Sequence, residues 1–231
     1  MLSLVVPTYD ECGNIEPLVR RTAEAMAGRD FELLVVDDRS RDGTAAEVRR
    51  LQSGREWLRL IERQGARDLA TSVVDAWSAA RGDILGCMDA DLQHPPELLP
   101  QMLERMEQDG AAMVVASRYA PGGTVGDWHP LRRMGSRATT RAASWLLGGA
   151  LQGVSDPMSG YFLVRRGAAA LGQLQPRGYK ILLEVLLRAR PRPISEVAFA
   201  FGQRRSGASK ADWRVSWQFI RQVLALARVR S

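Results

Sequence analysis

The feature that most constrains this chain is an alternation. Short apolar runs are followed by amphipathic helical patterns about every 20–25 residues through its first half. Leu2–Val6, Phe31–Val36, Leu58–Ile61, Ile84–Met88 and Ala111–Ala116 read as strands. Helical patterns run from Asn14, the expected cap, through Leu18 to Met26, from Ala45 to Leu51, from Leu69 to Ala80 and from Glu97 to Gln108. Strand and helix in turn are the pattern of βαβ units, whose parallel sheet is covered by helices on both faces. With 231 residues and 45% hydrophobic content, the chain can build one sizeable α/β domain.

The strands end in polar clusters. The first runs into Pro7-Thr8-Tyr9-Asp10-Glu11, the second into Asp37-Asp38-Arg39-Ser40-Arg41-Asp42-Gly43-Thr44, and the fourth into Asp89-Ala90-Asp91-Leu92-Gln93. In an open α/β sheet, ligands bind beyond the carboxyl ends of the strands. On an extended segment, Asp89, Asp91 and Gln93 point the same way. Two carboxylates and an amide oxygen form a hard oxygen cluster suited to Mg²⁺ or Mn²⁺, metals that complete their shell with water and substrate phosphate.

The second half changes character. Ser117-Arg118-Tyr119-Ala120-Pro121-Gly122-Gly123 reads as a loop, and Arg132, Arg133, Arg137 and Arg141 follow on a helical pattern continuing to Leu147. Tyr161–Val164 and Ile194–Phe201 read as strands, with a helix over Tyr179–Leu187 between them. The final stretch, 212–231, reads as an amphipathic helix: Trp213, Trp217, Ile220 and Leu224 share one face beside Arg214, Arg221 and Arg228. That composition suits a helix lying in a membrane interface, and equally one packed on the domain.

Formal net charge is +6, an excess that calls for an anionic partner such as a phosphorylated substrate or a membrane surface. Nearly all of it is arginine; lysine occurs only at Lys180 and Lys210. Arginine forks onto phosphate bidentately. Nucleic acid is disfavoured, because acids line the sheet edge and no recognition motif is readable. There is no Walker A loop and no Gly-x-Gly-x-x-Gly after the first strand, which speaks against a P-loop kinase and a dinucleotide oxidoreductase. Cys12 and Cys87 suggest no disulfide framework. Neither a signal peptide nor an apolar run long enough to span a bilayer is expected. His94, next to the acidic cluster, reads as a surface residue at a helix start.

Three ordered motifs resemble the inverting GT-A glycosyltransferases: Val6-Pro7-Thr8-Tyr9-x-Glu11-x-x-Asn14, Val36-Asp37-Asp38-x-Ser40-x-Asp42-Gly43-Thr44 and Asp89-Ala90-Asp91-Leu92-Gln93-His94-Pro95-Pro96-Glu97. Further segments resemble their dolichyl-phosphate (polyprenyl-phosphate) mannosyltransferase branch: Ser117-Arg118-Tyr119, Trp128 with Arg132, Asp156-Pro157-x-Ser159-Gly160, Gly178-Tyr179-Lys180 with Glu184, and Arg204-x-x-Gly207-x-Ser209-Lys210. The resemblance implies a GT-A, Rossmann-like, mostly parallel central sheet flanked by helices, with the catalytic domain over 1–211 and the amphipathic helix over 212–231. It also implies transfer of mannose from GDP-mannose to a polyprenyl phosphate, with inversion and a divalent metal. Such a protein would sit peripherally on the cytoplasmic face of a membrane, with a small membrane-anchoring subunit as a candidate partner.

Carried over by position, Pro7, Tyr9, Glu11, Val36 and Asp38 would hold the nucleoside, with Ala90 against the nucleotide. Asp89, Asp91 and Gln93 would bind the metal. Arg118, Arg132 and Arg204 would grip the acceptor phosphate, and Lys210 would lie near both phosphates. Asp91, Arg118, Arg132, Arg204 and Lys210 are the catalytic candidates. Two departures stand out: Asp10 replaces the usual Asn, and Arg67-Asp68 replaces the usual second glycine before Leu69. The competing expectations are transfer of glucose from UDP-glucose to undecaprenyl phosphate, and a non-catalytic nucleotide-sugar-binding subunit.

Overall fold

The structure, a computed structural model, describes residues 1–124, 148–151 and 153–202. The expected helix through Arg132–Leu147, the basic segment from Gln203 to Lys210 and the helix over 212–231 lie outside the described residues, as do Trp128, Arg132, Arg204 and Lys210.

Seven strands form one sheet: β1 (Leu2–Thr8), β2 (Phe31–Asp37), β3 (Leu58–Glu62), β4 (Ile84–Cys87), β5 (Met113–Ser117), β6 (Phe162–Arg165) and β7 (Ile194–Ala198). Their order is β3-β2-β1-β4-β6-β5-β7. Every pairing is parallel except those of β6, which runs antiparallel to both β4 and β5. β1 runs two residues past its expected end. Pro7, which lacks an N–H, tolerates this because pairing with β4 stops at Val5, so no donor is needed there.

The strands alternate faces with period two, and both faces are dry. Leu4, Val6, Leu33 and Val35 pack with helices α1 (Cys12–Ala25), α2 (Thr44–Gln52) and α4 (Leu99–Gln108). Val5, Leu34, Val36 and Leu85 pack on the other face with α3 (Leu69–Ala79) and, further along the chain, Ile181–Leu187. Burial on both faces is why these strands read as continuous apolar runs. After a short α5 (Arg166–Ala169), the expected Tyr179–Leu187 helix is α6 (Ile181–Glu184), widening into a π-helical turn over Val185–Ala189. A 3-10 turn, Pro96–Leu98, precedes α4.

Asn14 does not cap α1. It is buried in the first turn, and its amide donates to Glu11 Oε2 at 2.7 Å, while Glu11 occupies the cap position. The departure at Arg67-Asp68 has a clear local role: Asp68 caps α3, accepting from the Thr71 N–H at 2.9 Å.

Candidate active site

Four loops leave the carboxyl ends of β1, β2, β3 and β4 on one rim. The β1 and β2 loops are laced together by their polar residues. Asp10 N–H donates to Ser40 Oγ (2.9 Å), Arg41 N–H to Asp10 Oδ1 (2.8 Å), Glu11 N–H to Thr44 Oγ1 (3.0 Å) and Cys12 N–H to Asp42 Oδ2 (2.8 Å). Asp10 and Arg39 sit at φ 51° and 65°. The left-handed region is open to Asp as it is to Asn, so the substitution at position 10 keeps the backbone that the turn requires.

Behind this lacing, Tyr9, Asp38, Arg39, Arg41 and Arg67 line a cavity of about 190 Å³. The Arg67 guanidinium lies 4.0 Å above the Tyr9 ring. Asp38 is already engaged: it pairs with Arg63 at 2.9 Å and accepts the Asp68 N–H at 3.0 Å. Its carboxylate therefore fixes the wall of the cavity. The Val36 side chain is buried in the core, and Pro7 lies half-buried on β1. Of the five expected nucleoside residues, Tyr9 and Asp38 line the cavity. Arg39, Arg41 and Arg67 were not among the candidates. Arg67 carried a signal, as an arginine where the resemblance expects glycine.

The β4 loop departs from the extended geometry that the sequence suggests. The strand stops at Cys87, residues 90–94 turn, and Leu92 adopts φ 62°. Asp91 is buried, and its Oδ1 accepts the Gln93 N–H at 3.1 Å. The Gln93 amide donates to the Gly202 carbonyl at 3.0 Å. Ala90 is buried in the core beneath. Asp89 remains partly exposed and lies against Gly160, where an added Cβ would come within 2.8 Å of its carboxylate. Only glycine leaves room for that approach.

His94 is not on the surface. It is 3% exposed, with its ring between Tyr161, Phe199 and Phe201 at centroid distances of 5.4, 5.5 and 5.5 Å. Burial pushes the imidazole below its ordinary pKa, against the pull of Asp89 and Asp91. The neutral ring accepts the Asp89 N–H on Nδ1 at 3.4 Å. It acts as a peg under the acidic loop. The sequence hid this because the aromatic residues that enclose it lie 67 or more positions away.

Arg118, just past β5, holds Asp156 through two parallel bonds of 2.7 and 2.8 Å and a third from its own backbone at 3.1 Å. Asp156 is fully buried. Burial works against the Arg118 charge, but Asp156 outweighs it, and the pKa lies above its ordinary value. Lys180 donates to the Met158 carbonyl at 3.0 Å; burial lowers its pKa, opposed chiefly by Asp89. Asp89, His94, Arg118, Asp156 and Lys180 thus share one electrostatic environment at the end of β4 and β5.

Among the described residues, no three His, Cys, Asp or Glu side chains are placed to cage a metal ion. The expected donor set is two loop carboxylates with an adjacent amide. Its chemistry fits a hard cation that takes its remaining ligands from phosphate and water. No helix among the described residues is long and apolar enough to cross a membrane.

Residues 3–170 match the family described as glycosyl transferase family 2. The chain is 34% identical over 227 residues to the dolichol-phosphate mannosyltransferase of Pyrococcus furiosus, covering 98% of this chain and 64% of that protein, under two thirds of its length. It is 38% identical over 239 residues to the dolichol-phosphate mannosyltransferase of Saccharomyces cerevisiae, covering 97% of this chain and 86% of the yeast protein. It is 33% identical over 216 residues to the polyprenol monophosphomannose synthase of Mycolicibacterium smegmatis, covering 90% and 79%. The fold matches glucosyl-3-phosphoglycerate synthase from Mycobacterium tuberculosis, crystallised with Mn²⁺, UDP-glucose and phosphoglyceric acid. The TM-score is 0.73 at 20% identity, over 98% of this chain and 79% of that one.

Proposed function

The chain belongs to glycosyl transferase family 2, and on that premise we propose that it transfers mannose from GDP-mannose to a polyprenyl phosphate, inverting the anomeric carbon. The observation that carries this reading is the run of relatives at 33–38% identity, all named for mannosyl transfer to dolichol phosphate or for polyprenol monophosphomannose synthesis.

The chemistry suits the residues. The acceptor phosphate is already an anionic nucleophile near neutral pH, so no strong general base is required. One of its oxygens attacks the anomeric carbon, the bond from that carbon to the diphosphate oxygen breaks, and the electron pair leaves with GDP. The protein's task is to hold two anions in line and exclude water. Asp89, Asp91 and Gln93 would hold Mg²⁺ or Mn²⁺. When bound, the cation neutralises charge on the departing diphosphate. Tyr9 and the wall fixed by Asp38 hold the nucleoside, with Pro7, Glu11, Val36 and Ala90 supporting that pocket. Arg118, aligned by Asp156, supplies positive charge to the acceptor, together with Arg132 and Arg204 from outside the described residues. Lys210, also outside the described residues, would act on both phosphates. A basic protein with a lipid-phosphate substrate works at a membrane surface, here its cytoplasmic face, and a small anchoring subunit is a candidate partner.

The test is a transfer assay in detergent with Mg²⁺ or Mn²⁺, offering GDP-mannose and UDP-glucose separately with a polyprenyl phosphate. Mannosyl lipid that disappears on adding EDTA is the expected product. Glucosyl lipid alone overturns the donor; nucleotide binding with no product from either donor favours a non-catalytic subunit.

A further inference from the structure

We propose that Arg67, held on the face of Tyr9, reads the base of the donor nucleotide, with Arg39 and Arg41 as its neighbours, and selects a purine that presents two adjacent acceptors. The inference rests on the donor reading above and deepens it.

Position comes first. The cavity is built from loops after β1, β2 and β3. The Asp89–Gln93 loop follows β4, on the far side of β1 from β2 and β3. Strands lie about 4.8 Å apart. A diphosphate held at the β4 loop therefore leaves its nucleoside about 10 Å away over β1–β3, where the cavity is.

Charge comes second. Asp38 is the one acid in the lining, and its charge is matched by Arg63. Among the described residues, Arg39, Arg41 and Arg67 form no ion pair with a carboxylate, whereas Arg59, Arg63 and Arg118 each hold an acid within 2.9 Å. Three unmatched guanidinium groups around one small cavity want acceptor atoms.

Chemistry comes third. Contact with Tyr9 holds the Arg67 guanidinium over the face of that ring, 4.0 Å from its centroid. A guanidinium fork matches the paired O6 and N7 acceptors of guanine. Adenine replaces O6 with a donor, so the same fork meets N–H against N–H. Uracil has no adjacent pair of acceptors on its ring edge.

Placement of Arg67 is secured by its neighbour. Asp68 caps α3 and accepts the Gly178 N–H at 2.6 Å, so the residue before it enters the site from a tethered backbone.

The experiment is equilibrium binding of GDP, ADP and UDP with Mg²⁺ to the full chain, to R67A and to R67K. The wild-type chain is expected to prefer GDP over ADP. R67A should reduce that preference by about 10- to 100-fold with ADP binding little changed, the range that one bidentate base contact supplies. R67K keeps the charge but loses the fork, so it should lose most of the preference as well. A GDP-to-ADP ratio unchanged in both variants overturns the inference and leaves the donor reading intact. Equal weakening of all three nucleotides also overturns it, since Arg67 would then supply only charge. A wild-type chain preferring UDP overturns the donor reading itself.

Discussion

The two rims of the sheet use the same kinds of residue in opposite ways. At the amino ends of the strands, Glu32 is a closed hub. It accepts from Ser3 Oγ at 2.7 Å, the Arg81 N–H at 2.6 Å and Arg59 at 2.6 Å, and Ser3 in turn accepts the Gly82 N–H at 2.8 Å. Gly82 is packed so tightly there that a Cβ would meet the Met1 carbonyl at 2.6 Å. At the carboxyl ends, Asp89 stays partly exposed and Arg67 stacks on a ring instead of pairing with an acid. A rim whose charges are satisfied internally contributes stability. A rim that leaves them open keeps interaction free energy for a ligand.

The sharpest way to break this contrast is D91A. The aspartate is buried and accepts the Gln93 N–H, so its loss should cost about 1–3 kcal/mol of stability. Loss of a preorganised charge at the leaving diphosphate should lower the transfer rate by about 10²–10³-fold. Steady-state transfer beside a thermal melt checks both halves. An unchanged rate would remove the β4 loop from the active rim.

Arg118 straddles the two modes, because it stands at the active rim yet closes on a buried acid. R118A should lower transfer by about 10²-fold while GDP still binds. It should also cost about 3 kcal/mol of stability by stranding the Asp156 charge. The double variant R118A/D156N separates the roles: stability should return, and transfer should not. Recovery of both would make Arg118 a purely structural residue.

The contrast between rims was only half legible in the sequence. The alternation of apolar runs and helices gave the sheet and its covered faces, because strands buried on both sides cannot hide their hydrophobicity. It could not give the direction of β6: Phe162–Val164 is equally apolar read either way, and its direction shows only in the antiparallel pairings with β4 and β5. The acids at the strand ends pointed to the rim, while the geometry of the β4 loop did not follow from alternation, because Leu92 at φ 62° ends any extended pattern. The burial of His94 is hidden for the opposite reason: its local neighbours are polar, and the rings that bury it come from Tyr161, Phe199 and Phe201. Arg67 showed only as a departure, and its meaning needed the Tyr9 ring beneath it.

E32Q probes the closed rim. Burial opposes the Glu32 charge, but hydrogen bonds from Arg81 N–H, Ser3 and Arg59 outweigh it and hold the pKa below the ordinary carboxylate value. A depressed folded value means that this stabilisation is fully present above the unfolded pKa, about 4.3. It is lost as pH falls through the folded value. E32Q should therefore cost about 3 kcal/mol at neutral pH, leave kcat nearly unchanged, and flatten the acid side of the stability profile. Denaturant melts from neutral to acidic pH measure this; a fall in kcat at constant stability would contradict the division between rims.

The smallest expected effect sets the baseline for the rest. Arg20 pairs with Glu24 on the outer face of α1 at 2.9 Å, with both side chains about 60% exposed. Water screens such a pair, and holding two long side chains together costs rotamer freedom, so its net contribution is about 0.5 kcal/mol or less. R20A should shift Tm by at most about 2 °C, and raising salt should erase even that. It should leave the GDP-to-ADP preference where it was. R67A also removes one exposed arginine and the same unit of charge. If both variants changed base preference alike, net charge alone would explain the effect. If only R67A does, the cause is the location of that guanidinium on Tyr9 at the open rim.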